Sequence, residues 1–286
     1  MKAFDYRFDK VFVLKSLGES DTYADALYYK TIEPCCKNSG CAKEPPIEIF
    51  DRGDWKNAID KILNDEYKYP LVHIECHGDK VKGLELRLGD NIPWNEMLDD
   101  LRRVNVRSGM NLITTMATCF SKENAFSINM SGLPAPYLFS LTARKKVESK
   151  VTYEMYSIFF NELITTGDMY KALKRVERER PDLPSHFVLF TLPFLFEDAW
   201  KGIPEKYKNG DEVVRHFFHS FPDFQAQVIK EESISRNEFE GYRDGFVREC
   251  NANTINAIYR RCRDTFFMYD TFPENWQRFK MSDRIM

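Results

Sequence analysis

Histidine is scarce in this chain, with five in 286 residues, so few side chains can exchange a proton near neutral pH. Cysteine is present in an odd number, seven, which argues against a complete disulfide framework. A charge excess of one sign is also missing. Lys and Arg total 41 against 44 for Asp and Glu, a net −3, and no strong overall field recruits nucleic acid or an acidic membrane. Direct nucleic-acid binding is therefore not expected. No apolar run approaches the ~20 residues that a bilayer core requires, and the most apolar stretch, TLPFLF at 191–196, is far shorter. The opening MKAFDYRFDKVFVLKSLGES has a short apolar run broken by charges and no small-residue cleavage site, so it does not read as a secretory signal. These absences lead us to expect a cytoplasmic protein with reduced thiols and no membrane contact.

What is present describes an ordinary globular chain, 43% hydrophobic and 30% charged. Apolar runs alternate with helical patterns. KVFVLKSL (10–17), PIEIF (46–50), PLVHIEC (70–76), MNLITTMATC (110–119), APYLFSLT (135–142) and SHFVLFTL (185–192) read as strands. Between them, DWKNAIDKILNDE (54–66), PWNEMLDDLRRV (93–104), VTYEMYSIFFNELITTG (151–167) and DMYKALKRVERER (168–180) carry helical spacing, and GLELRLGDN (83–91) reads as a hairpin. Strands alternating with helices of this length predict an α/β fold, a mostly parallel sheet covered by helices on both faces.

In such a sheet, sites form at the carboxyl ends of the strands. His77, in IECHGDK (74–80), follows one predicted strand end, and Cys119, in TMATCFSKEN (115–124), stands at another. The interval between them has room for a crossover helix between neighbouring parallel strands. The chemistry fits. A thiolate is the nucleophile, and an imidazole within reach takes its proton and later returns it to a leaving amine. SKENAFSINM reads as a helix beginning near Ser121, whose N-terminal amides would favour the thiolate. Gly78 offers a backbone N–H that, with that of Cys119, is suited to bind an oxyanion.

A strand ending in His-Gly and a later strand ending in Ala-x-Cys resemble the arrangement of the caspase-like cysteine peptidases. The downstream SGLPAPYLFSLT, YSIFFNELITTGD and MYKALKRV are most similar to the CHAT branch of that family. The resemblance covers roughly residues 8 to 195 and implies a caspase-like domain at 1–197 with a helical extension at 198–286. It further implies a cysteine endopeptidase with a His77–Cys119 dyad, a protein substrate and no cofactor or metal. Members of the branch often serve prokaryotic defence and are switched on by a partner or ligand. Two positions depart from relatives. Ala117 stands where basic-specific members often carry Asp, so the resemblance does not support Arg/Lys specificity, and Phe120-Ser121 follows the cysteine where animal caspases have Arg-Gly, so it does not imply aspartate specificity either. By the same resemblance, the loop TARKKVESK (142–150) lines the specificity pocket, and an inward Arg144, Lys145 or Lys146 would select an acidic side chain.

Other groups read more plainly. CCKNSGC (35–41) clusters three thiols but has no second knuckle or histidine pair, so a loop of reduced cysteines is expected rather than zinc. His73 and Cys76 read as packed residues of their strand. His216 and His219 lack partnering ligands. After the polar stretch EKYKNGDE (205–212), Phe239, Tyr242, Phe246, Cys250, Ile258, Cys262 and Phe266 recur mostly three or four residues apart, marking amphipathic helices. This stripe either packs on the preceding domain or offers a docking face for an activating partner.

Overall fold

The computed structural model describes residues 5–18, 21, 23–128, 130, 132–201, 235, 237–238, 240–241 and 252–282. Its frame is a mixed sheet in which β1 (Lys10–Ser16), β4 (Pro70–Asp79), β7 (Ile113–Ala117) and β8 (Phe139–Ala143) are neighbours in that order and parallel. β2 (Ala42–Lys43) and β3 (Ile47–Glu48) pair parallel with β1 on one side, and β9 (Phe187–Thr191) closes the other side antiparallel to β8. The chain is thus α/β with a mostly parallel sheet flanked by helices. β1 and β4 read as nearly unbroken apolar runs because both of their faces are covered.

The flanking helices begin and end where local chemistry allows. α3 (Arg52–Leu63) starts at Asp51, whose carboxylate accepts the Asp54 N–H at 2.9 Å. α4 (Trp94–Arg107) crosses from β4 to β7 and turns Met97, Leu98, Leu101 and Val104 inward. α5 (Ser149–Thr166) stops at Gly167, which takes a left-handed φ of 69°. α6 (Met169–Glu179) follows at once, its Asp168 carboxylate accepting the N–H groups of Tyr170 and Lys171.

Several segments differ from the sequence reading. CCKNSGC is not a loop. Ala24–Leu27 (α1), a wider turn at Tyr28–Ile32 and Glu33–Ser39 (α2) run on as one helical stretch that buries Cys35 and Cys36. Its polar and β-branched residues obscure the helical period, and packing against α5 decides its state. PIEIF contributes only Ile47–Glu48 as strand. TLPFLF mostly leaves the sheet and opens α7 (Leu192–Lys201), because helical spacing buries Leu192, Phe196 and Trp200 together. SKENAFS forms a 3₁₀ segment, Ser121–Ser127, rather than an α-helix.

α7 runs across residue 198, so the division expected there falls inside a helix. Phe196 stacks on Phe266 of α8 (Ala252–Phe266) with centroids 5.0 Å apart, and the Ala135 N–H donates to the Phe266 carbonyl at 3.0 Å. Beyond it, α9 (Asn275–Phe279) carries Arg278, which donates to the carbonyls of Gly109 and Met110. The described part of the amphipathic stripe, Cys262 and Phe266 with half-buried Ile258, therefore faces the core. EKYKNGDE, His216, His219, Phe239, Tyr242, Phe246 and Cys250 lie outside the described residues. Among the described residues, no helix is long and apolar enough to cross a membrane.

Candidate active site

β4 and β7 hold a constant register, with His73 opposite Thr115 and Glu75 opposite Ala117. The offset of 42 residues that relates these pairs also relates His77 to Cys119. Side chains alternate across a strand, so His73 and Glu75 share one face with Thr115 and Ala117, and the chain runs on from these pairs to His77 in β4 and to Cys119 in the turn after β7. The register thus carries both candidate residues to one edge of the sheet, where each lines a single open cavity of about 260 Å³.

His77 does not end its strand. Beyond Cys76, β4 leaves β1 and continues to Asp79 as an antiparallel partner of β5 (Gly83–Glu85), which in turn pairs with β6 (Asn91–Ile92). That hairpin anchors the backbone under His77, while its side chain stays 61% exposed at the cavity mouth. Nε2 lies 3.4 Å from Oδ2 of Asp21, which also accepts the Gly18 N–H at 3.0 Å. Asp21 was not anticipated, because it comes from the loop after β1 and nothing in its neighbours marks it.

Cys119 follows β7 in a tight turn closed by the Ser121 N–H donating to the Thr118 carbonyl. Phe120 carries the turn at φ 58°, a left-handed conformation that costs a non-glycine residue roughly 1–2 kcal/mol. The Ser121 hydroxyl accepts the Ala143 N–H at 2.9 Å and ties the turn to β8. The thiol is half-buried, and its Sγ donates to the Val147 carbonyl at 3.8 Å rather than to His77. Cys76, on the opposite face of β4, is buried, and burial pushes its thiol far above the ordinary range.

Gly78 is required by packing. A Cβ there would lie 2.5 Å from the Cys119 carbonyl oxygen and 2.5 Å from Thr118 Cγ2. The space a side chain would fill is occupied by the backbone of the cysteine turn, which locks the two strand ends together.

The basic trio separates. Arg144 turns away, its Nε donating to the Phe187 carbonyl at 2.7 Å, and neither it nor exposed Lys145 lines the cavity. Lys146 does line it, from the exposed rim. The inner wall instead carries Glu75, which is 3% exposed. Its Oε1 pairs with His73 Nε2 at 3.2 Å, while Oε2 has no partner. His73 also meets Thr115 Oγ1 at 2.7 Å and packs edge-on against Tyr156 and Phe160, the packed histidine expected. Glu75 was missed, although strand alternation two residues before His77 was enough to put it on the same face. Among the described residues, no His, Cys, Asp and Glu cluster has the arrangement of a metal site.

When the sequence is compared with known protein families and with curated proteins, no family model and no curated protein matches it.

Proposed function

We propose that this chain is a cysteine endopeptidase of the caspase-like type, closest to the CHAT branch, acting through His77 and Cys119 on a protein substrate. The observation that carries this reading is the shared register of β4 and β7, which delivers an imidazole and a half-buried thiol to one cavity. Asp21, beside Nε2, orients the ring and leaves Nδ1 to take the Cys119 proton. The thiolate then attacks the scissile carbonyl carbon. A C–S bond forms, and the carbonyl electron pair moves to oxygen, held by the N–H groups of Gly78 and Cys119. Collapse breaks the C–N bond, the imidazolium protonates the departing amine, and water hydrolyses the thioester to restore the thiol. The Sγ contact to Val147 has to yield first, as expected of a resting site that tightens when substrate or an activator binds.

That same contact favours a second reading, a catalytically silent caspase-like scaffold whose thiol merely satisfies a carbonyl. Alkylation separates the two. Cys35, Cys36, Cys76 and Cys262 are buried, so Cys41 and Cys119 are the accessible thiols among the described residues. A hydrogen bond from the buried Cys36 thiol lowers the Cys41 pKa, making Cys41 an internal reference. Under the peptidase reading, iodoacetamide labels Cys119 at a rate that falls several-fold in His77→Ala while labelling of Cys41 is unchanged, and Cys119→Ala abolishes peptide cleavage. Equal Cys119 labelling with and without His77, together with no cleavage, would establish the scaffold.

A further inference from the structure

Taking the site as a cysteine peptidase, we infer that its substrate-binding cavity selects a basic side chain, lysine or arginine, on the acyl side of the cut, with Glu75 as the recognising group. The starting point is an anomaly of burial. A carboxylate removed from water needs its oxygens satisfied, and an isolated one costs several kcal/mol. Glu75 has Oε1 on His73, but Oε2 has no partner, and the residue is 3% exposed on the cavity wall.

The sheet does not supply the missing donor. Lys15 on β1 is opposite Glu75 in register, yet its ammonium is held by Asp25 at 2.6 Å and by Glu48 at 2.7 Å. Across on β7 the opposite residue is Ala117, whose side chain is a single methyl, and both residues line the cavity. Water or a ligand donor in the cavity is the remaining partner, and a cationic ligand is the stronger one. Rotation about the broad terminal torsion of Glu75 turns Oε2 toward it without moving the backbone.

The rest of the cavity agrees in shape and charge. At about 260 Å³ it lies below the usual range for drug-sized ligands and suits one extended side chain. Leu17, Leu27 and the Tyr23–Tyr153 pair, with centroids 5.2 Å apart, provide an apolar sleeve for a methylene stem and aromatic faces for a cation. Among the described residues, three carboxylates line it, Asp21, Glu75 and Glu148, against one lysine, Lys146. Lys146 stands on the exposed rim, where solvent and salt screen it, whereas Glu75 is buried and acts at low effective dielectric. The buried charge therefore decides specificity, and the acidic preference that an inward basic loop would have produced is not expected.

Two measurements on the full-length chain test this separately from catalysis. In the first, benzamidine, a planar cation, is added during iodoacetamide labelling. It should slow labelling of Cys119 at least about fivefold at saturation while leaving Cys41 unchanged; neutral benzamide should not, and Glu75→Gln should remove the protection. In the second, peptides differing only in Arg, Lys, Leu or Asp before the scissile bond are compared by kcat/KM. The basic pair should exceed the others on the order of 100-fold, shrinking at least tenfold in Glu75→Gln. Cleavage with an Asp or Leu preference and no benzamidine protection would overturn the inference and leave the peptidase intact. Protection without any cleavage would keep the cation site and overturn the peptidase. The absence of both would end both. Because protection is measured on the unaltered protein, the result does not depend on the variant folding.

Discussion

Replacing Gly78 with alanine tests the central claim that the strand ends carrying His77 and Cys119 are locked together by backbone contact. The new Cβ would meet the Cys119 carbonyl oxygen and Thr118 Cγ2, each at 2.5 Å, whereas ordinary contact begins at 3.4 Å. Something must move by about 0.9 Å. The carbonyl belongs to backbone, and Thr118 is buried at 2% exposure, so no flexible side-chain end can absorb the overlap. Forced overpacking of this kind costs about 2–3 kcal/mol. For a chain of this size that lowers Tm by about 3–5 °C. Moving the cysteine turn by close to 1 Å should also reduce kcat/KM on the order of 100-fold. Differential scanning calorimetry measures the first effect, and peptide cleavage together with Cys119 alkylation measures the second. Gly132→Ala serves as the control, since a Cβ there meets nothing within 4 Å, and its Tm should stay within about 1–2 °C of the parent. A Gly78→Ala protein with the parent's Tm and the parent's Cys119 reactivity would refute the reasoning.

Tyr156 is wholly buried on α5, and its hydroxyl reaches the carbonyls of Met116 at 2.9 Å and Leu141 at 3.1 Å, tying β7 to β8 beneath the site. Tyr156→Phe should cost about 1–2 kcal/mol in urea denaturation, and no loss would mean these contacts carry no net stability. Asp21→Ala should lower kcat between about tenfold and a hundredfold while Tm holds, since Asp21 contacts the ring of His77 and the Gly18 N–H of its own loop. An unchanged kcat would remove it as a positioning residue. Burial of Asp65 alone would raise its pKa, but the Lys10 hydrogen bond at 2.6 Å, the Tyr67 N–H and the Lys10 and Arg107 charges together outweigh it and hold the carboxyl below its ordinary value. A depressed folded pKa contributes stability above the unfolded value of about 3.9 and loses it as pH falls through the folded one. The urea midpoint gap between the parent and Asp65→Asn should accordingly close between about pH 5 and pH 2, and a gap constant over that range would contradict the pairing.

Read alone, the sequence determined the fold class and the two candidate reactive residues. Buried parallel strands must be apolar almost throughout, so β1 and β4 stand out as runs, and α4 between β4 and β7 announces itself by its inward Met97, Leu98 and Leu101. His-Gly and Ala-x-Cys at two strand ends then point to one sheet edge, because parallel neighbours carry their carboxyl ends to the same side. Other features depended on contacts that local pattern does not encode. The helical stretch across Cys35 and Cys36 is held by packing on α5, and α7 takes over an apolar run that also suits a strand. That the space beside Gly78 is filled by the cysteine turn, so that no side chain fits there, is likewise decided by the fold. Asp21 reaches His77 from a loop, and Glu75 has chemical meaning only once it is seen to line the cavity opposite Ala117 with Lys15 already occupied. Residue type and spacing identify which groups can react, but which charges surround them is fixed by register and crossover, the three-dimensional facts that set a buried carboxylate against an open cavity.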